Sequence, residues 1–135
     1  MTPGAAFLDT NVLVRYLTDD PPELAARAEA IIEKDDLVLN SVVLMESVYV
    51  LWKQYGLPRE EVVDTLVDFL QRENVTMLDM PKEYAASALL SLKERAGVTQ
   101  GDALIVAAMR AGGVERIYSF DRGLKAEGIT VLRDA

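Results

Sequence analysis

Cysteine and histidine are both absent from the 135 residues. Without cysteine there is no disulfide, no thiolate nucleophile and no zinc-thiolate site, and the redox compartment is left open. Without histidine, a Ser-His-Asp triad, a Cys-His pair, a two-histidine nuclease mechanism and most zinc or copper sites are excluded as well. Carboxylates, amides and hydroxyls remain, and such oxygen ligands suit hard cations, so any functional metal is expected to be Mg²⁺ or Mn²⁺. Long hydrophobic runs are also missing, and no basic, apolar and small-residue series opens the chain, which predicts a cytoplasmic protein with no membrane segment. Positive charge is scarce: 14 Lys and Arg face 22 Asp and Glu, a formal charge of −8. That balance argues against strong unspecific adhesion to nucleic acid or anionic lipid, and any nucleic-acid binding must be focused on a local basic rim.

Half of the residues are hydrophobic, enough for one compact domain spanning 1–135 with a core of its own. No low-complexity tract, internal repeat or Gly/Ser linker interrupts it, and turn signals recur at intervals that fit alternating strands and helices. The pattern is α/β. Strands are expected at Ala5 to Asp9, Leu37 to Asn40, Val75 to Asp79, Arg116 to Phe120 and Ile129 to Leu132. Between them, helices are expected from Thr10 to Leu17, from Pro21 and Pro22 onward, from Ser41 as cap to Gly56, and from Pro58 to Glu73. Others run from Lys82 to Ala96, with Gly97 as the stop, and over roughly Gly101 to Ala111, with a brief one around Leu124 and Lys125.

Four acids stand out against this frame. Glu46 lies in Ser41 to Tyr55, a helix apolar nearly all round, and its neighbours at helical spacing, Val42, Val43, Tyr49 and Val50, are uncharged. It is expected to be buried and to need a cation, a proton or hydrogen-bond donors; a pair with an arginine is the structural alternative. Asp9 and Asp121 close apolar strands at the carboxyl edge of the sheet, where ligands collect in open parallel sheets. Asp102 opens a helix, but simple alternation does not say at which edge. Capping accounts for three of them separately: Asp9 with Thr10 and Asn11, Asp102 with Thr99, Asp121 at the helix of Leu124. Gathered together, like charges about 4 Å apart repel by about 4 kcal/mol at an effective dielectric near 20, and a divalent ion relieves that repulsion.

The run Phe7, Leu8, Asp9, Thr10, Asn11, then Ser41 with Glu46, then Asp102, Ala103, Leu104, Ile105, and finally Ser119, Phe120, Asp121 resembles the PIN domain, and in size its VapC-type toxins. The resemblance covers Phe7 to Leu132 and implies a three-layer α/β/α sandwich around a five-stranded parallel sheet, order 3-2-1-4-5. It implies a Mg²⁺- or Mn²⁺-dependent ribonuclease in which Asp9, Glu46, Asp102 and Asp121 are the metal-binding catalytic set. Asn11 would orient Asp9 or a water, and Ser119 would support the same site. Arg15, Arg122 and Lys125 are candidates for a phosphate-binding rim. It also implies RNA as substrate, a homodimer through a helical surface, and a VapB-type antitoxin that sends a side chain into or across the pocket; Val12, Tyr16 and Leu17 of the first helices are candidates either for the core or for such a surface.

Other functions compete. Leu78, Asp79, Met80 and Pro81 are similar to the phosphoacceptor strand end of a receiver domain, but that domain wants an acidic pair after its first strand and a lysine after its last, where Arg133 stands. A haloacid-dehalogenase-like phosphatase would use an acid two residues after Asp9, and Asn11 cannot donate a proton in that way. A non-catalytic metal- or partner-binding module is the remaining alternative.

Overall fold

The computed structural model describes residues 4–94 and 97–135. Its sheet is built from five three-residue strands, β1 (Ala6–Leu8), β2 (Leu37–Leu39), β3 (Val75–Met77), β4 (Arg116–Tyr118) and β5 (Thr130–Leu132), all parallel in the order β3-β2-β1-β4-β5. Every residue of β1 and β2 is buried, which requires cover on both faces and explains why these strands read as unbroken apolar runs. Phe7 pairs with Val38 on one side and Ile117 on the other, so β1 is the centre of the sheet. The strand order implied by the resemblance is the observed one.

The covering helices are α1 (Thr10–Thr18), α2 (Pro22–Lys34), α3 (Ser41–Tyr49), α4 (Arg59–Leu70), α5 (Lys82–Ser91) and α6 (Gln100–Gly112). A π-helical turn, Val50–Gln54, continues α3. Asn40 caps α3, its Oδ1 accepting from the Val43 amide at 3.3 Å, so the expected cap at Ser41 moves back by one residue. Gly113 ends α6 at φ 70°, a left-handed conformation that glycine adopts at no steric cost. Residues 95 and 96, which the expected extent of α5 included, lie outside the described residues. The brief helix expected around Leu124 does not form. Residues 121–129 make turns instead, and the loop is anchored by the buried Leu124.

α1 is mostly core. Val12 is fully buried, Tyr16 and Leu17 pack against the core, and the Tyr16 ring meets Phe69 of α4 edge-on at 6.1 Å. The large exposed apolar side chains lie elsewhere: Met45, Tyr49 and Trp52 on α3 and its π turn, Val63 and Val67 on α4, Leu89 and Leu90 on α5. Of the two placements expected for Val12, Tyr16 and Leu17, the core or a helical dimer surface, the core is the observed one. The topology also removes the receiver reading. Such a sheet keeps its third strand central, whereas β3 is an edge strand and Asp79 lies exposed beyond it.

Candidate functional site

A cleft of about 760 Å³ opens at the carboxyl edge of the sheet, and Asp9, Glu46, Asp102 and Asp121 all line it. They arrive from four places: the residue after β1, the second turn of α3, the first turn of α6 and the loop after β4. Asp102 reaches this edge because α5 and α6 pack against each other and return the chain so that α6 starts here. Its amide donates to Thr99 Oγ1 at 3.1 Å, half of the capping box expected at that spacing.

Asp9 is the deeply buried acid, 5% exposed. As N-cap of α1 it accepts from the Thr10 amide through Oδ1 at 2.8 Å, while its Oδ2 accepts from Ser119 Oγ at 2.7 Å and from Asn11 Nδ2 at 3.4 Å. Asn11 is held in turn, its Oδ1 accepting from the Phe120 amide at 2.9 Å and its Nδ2 donating to Ser119 Oγ at 3.2 Å. Ser119 Oγ also accepts from the Asp121 amide at 3.1 Å, so one hydroxyl ties two of the acids into one network. Desolvation raises the Asp9 carboxyl to about 6, against the lowering effect of the Ser119 and Thr10 bonds, with the charges of Asp102 and Glu46 adding to the rise.

Glu46 is half-buried, which corrects the expectation that it is the enclosed carboxylate. The apolar neighbours that suggested burial include Tyr49, 58% exposed. No arginine pairs with it among the described residues; Thr10 Oγ1 donates to its Oε1 at 2.7 Å instead. Its other oxygen rests on Gly101, where a β-carbon would come within 2.6 Å of Oε2. Asp102 is raised by burial first, then by the charges of Asp121 and Glu46, with Thr99 acting in the opposite direction. Asp121 is exposed and closes a short turn, accepting from the Gly123 amide at 2.8 Å.

The basic candidates divide. Arg15 lines the cleft and is fixed there, donating through Nη1 to the Asp20 carbonyl at 3.2 Å and to the Tyr55 hydroxyl at 3.3 Å, while that hydroxyl donates to Asp20 Oδ2 at 2.8 Å. Lys125 opens onto a neighbouring cavity, and Arg122 is exposed and lines neither.

Chemically, the cleft offers oxygen donors alone, a set suited to a hard divalent cation. Among the described residues no three carboxylates are drawn into a ready-made chelate. Mg²⁺ commonly takes only one or two carboxylates directly and keeps several of its waters. The Asp9 and Asp102 carboxyls are raised by burial first and by their acidic neighbours second, and a bound cation would offset both costs.

No curated protein sequence matches the chain. The PIN domain family model matches residues 6–127. The chain belongs to the PIN domain family. Solved structures resemble it over nearly its full length. VapC20 of Mycobacterium tuberculosis, described as a sarcin-ricin loop cleaving toxin, superposes with a TM-score of 0.78 at 19% identity over 93% of this chain and 97% of that one. VapBC2 of Rickettsia felis, bound to a DNA fragment from its promoter, gives 0.69 at 18% identity over 95% and 97%. DNA-bound VapBC of Salmonella typhimurium gives 0.68 at 19% identity over 95% and 96%.

Two residues of this PIN domain's cleft and one behind it carry roles that the sequence pattern does not assign. Thr10 was read only as a cap, yet its hydroxyl holds Glu46. Gly101 carried a signal, since glycine is a poor helix former and here precedes an acid in the first turn of a helix. Arg133 carried none: its guanidinium reaches back to the Ser119 carbonyl at 3.1 Å and the Asp121 carbonyl at 3.3 Å, bracing the loop that bears Asp121.

Proposed function

We propose that this PIN domain is a metal-dependent endoribonuclease and the toxin of a toxin-antitoxin pair. The observation that carries the reading is the convergence of Asp9, Glu46, Asp102 and Asp121 on one cleft in a chain with no histidine or cysteine. These four acids are its metal-holding and catalytic residues, with Mg²⁺ or Mn²⁺ as the ion. The M. tuberculosis relative's description as a cleaver of the sarcin-ricin loop supports RNA as the substrate class, and the VapBC complexes support a VapB-type antitoxin as partner.

When bound, the divalent cation lowers the pKa of a water and neutralises charge that grows on the scissile phosphate. The chain's own contribution is positional. Ser119, Thr10 and Asn11 fix both oxygens of Asp9, Thr10 holds Glu46 at the cleft, and Asp102 and Asp121 supply further carboxylates to its lining. Asp9 is buried and can hold the ion while excluding solvent; Asp121 is exposed and faces incoming substrate. Arg15, held by Tyr55 and Asp20, supplies a fixed cation at the rim for a backbone phosphate, with Arg122 and Lys125 as its weaker companions. The exposed apolar side chains Met45, Tyr49, Trp52, Val63 and Val67 supply the face for a homodimer or the antitoxin.

The test is cleavage of single-stranded RNA by purified protein, present with Mg²⁺ or Mn²⁺ and reduced to background by chelator. Cleavage that persists in chelator would overturn the metal dependence, and a protein that binds partners but shows no turnover would replace the nuclease by the binding-module reading. Ser119→Ala removes the donor to Asp9 and the acceptor of the Asp121 amide together. It is expected to lower cleavage roughly 10- to 100-fold, in line with other residues that orient metal ligands, and to weaken metal binding measured by calorimetry.

A further inference from the structure

A second cavity lies on the other side of Asp102, between α5, α6 and the loop after Asp121. It encloses about 180 Å³, with small side chains such as Ala103 and Ala107 on its walls and Tyr84, Ser87, Arg110 and Lys125 around it. Asp102 lines both this cavity and the acidic cleft. The charge changes sign between the two. Around the cleft four carboxylates face Arg15 alone, whereas in the second cavity Arg110 and Lys125 face Asp102 alone. Lys125 is exposed and joins no ion pair among the described residues, and Arg110 donates only to the Glu127 carbonyl, at 3.1 Å. Both cations are thus free of a carboxylate partner, in a protein whose charge is −8.

A nucleic-acid strand whose phosphate lies at the four acids must carry its next phosphate away from them, because that phosphate would meet their negative field without an ion of its own. The neighbouring uncompensated cations are Lys125 and Arg110. We propose that this cavity is the subsite for the nucleotide adjacent to the scissile phosphate, with its base or ribose against Tyr84 and the Ala103 and Ala107 wall and its phosphate between Lys125 and Arg110. The inference rests on the ribonuclease reading and gives that substrate a direction across the surface. The cavity is smaller than the roughly 300 Å³ at which pockets for drug-sized ligands begin, so it admits one nucleoside unit and no paired stem. Single-stranded RNA is therefore the form recognised here.

The experiment uses fluorescence anisotropy of a labelled single-stranded RNA in Mg²⁺, with the full chain carrying Asp9→Asn so that binding is read apart from cleavage. Adding Lys125→Gln should weaken binding roughly 5- to 10-fold and reduce the salt slope by about 0.7. Adding Ala107→Leu, which fills the cavity and leaves every charge in place, should weaken it about 10-fold, the scale of losing one stacked base. Melting curves of both variants check that each is folded, and Lys125→Gln on an exposed loop keeps the test alive if the larger side chain disturbs α6. Binding by both variants equal to the parent overturns the subsite, as does a loss confined to Lys125→Gln, which would mean a surface phosphate contact with an empty cavity. No measurable binding by the parent overturns it too. If both losses appear while the unsubstituted chain cuts no RNA with Mg²⁺ or Mn²⁺, the cavity is a nucleotide-binding site, but the nuclease reading fails and the placement beside a scissile phosphate is overturned with it.

Discussion

Asp9→Asn loses RNA cleavage by on the order of 10³ and, in metal-free buffer, melts at a higher temperature than the unsubstituted chain. The activity loss follows from removing one full negative charge beside a divalent ion. A unit pair about 4 Å apart at an effective dielectric near 20 is worth about 4 kcal/mol, and that converts to about three decades in rate. The stability gain follows from the same burial. Asp9 is 5% exposed and its carboxyl is raised from 3.8 to about 6, so at neutral pH the folded chain holds an ionised group that the unfolded chain accommodates more easily. That shift corresponds to about 3 kcal/mol. Asparagine keeps the acceptor for the Thr10 amide but meets Ser119 Oγ, already accepting from Asn11 and Asp121, so a net gain of about 1 to 2 kcal/mol is expected. Melting of the two proteins in chelator, beside their cleavage rates in Mg²⁺, reads both effects. A variant that loses activity and stability together would mean that Asp9 is a structural cap.

The sign of the pH dependence is fixed by the direction of the shift. Folded Asp9 holds its proton up to about pH 6, whereas unfolded Asp9 releases it near 3.8. Between those values the folded chain binds more protons, so unfolding free energy falls as pH rises, and the destabilisation is complete above the folded value. Asp102 is raised as well and acts in the same sense. Without metal, the contribution of these acids favours the folded state near pH 4 over pH 7. Because Mg²⁺ competes with those protons, its stabilising effect on melting should be larger at pH 7.5 than at pH 5, and Asp9→Asn should flatten that difference.

The centre of the sheet was legible because β1 and β2 are buried on both faces and therefore spell apolar triplets that end at polar residues: Ala6 to Leu8 before Asp9, Leu37 to Leu39 before Asn40. The acids were legible through their order and surroundings, which resemble one family. Their relative burial was not. Glu46 was expected to be the enclosed one because its helix is apolar all round, yet periodicity cannot distinguish an apolar face turned to the core from one turned outward, and Met45, Val48 and Tyr49 are exposed. Asp9 read as an ordinary cap, but its cap position lies at the end of the central strand, where neighbours on both sides close over it. The helix expected near Leu124 failed because Gly123 and Gly128 bracket a segment too short to repeat a hydrogen-bonded turn. Arg133 reaches Ser119 and Asp121 through the pairing of β5 with β4, a relation that no local pattern in the sequence records.

Gly101→Ala separates folding from function more sharply than any substitution of an acid. Gly101 is buried in the first turn of α6, and an added β-carbon would come within 2.6 Å of Glu46 Oε2. The obstructed atom is the end of a side chain with three rotatable bonds, so the clash is relieved by swinging the carboxylate aside, with little backbone movement. Alanine also favours the helix by up to about 1 kcal/mol over glycine, so the melting temperature should stay level or rise slightly. The swing, however, takes Glu46 away from Thr10 Oγ1, the hydroxyl that holds it at 2.7 Å, and out of register with Asp9 and Asp102. Cleavage should fall roughly 100-fold, at the upper end of what displaced orienting groups cost at metal sites, with weaker Mg²⁺ binding in calorimetry. A Thr10→Val variant, which removes the same hydrogen bond from the other side, should lower activity in the same direction. Adding it to Gly101→Ala should then cost little more, since both act through the placement of one carboxylate. Full activity in Gly101→Ala would show that Glu46 works equally well from a second rotamer, and the close packing of α3 on α6 would then be a feature of the fold alone.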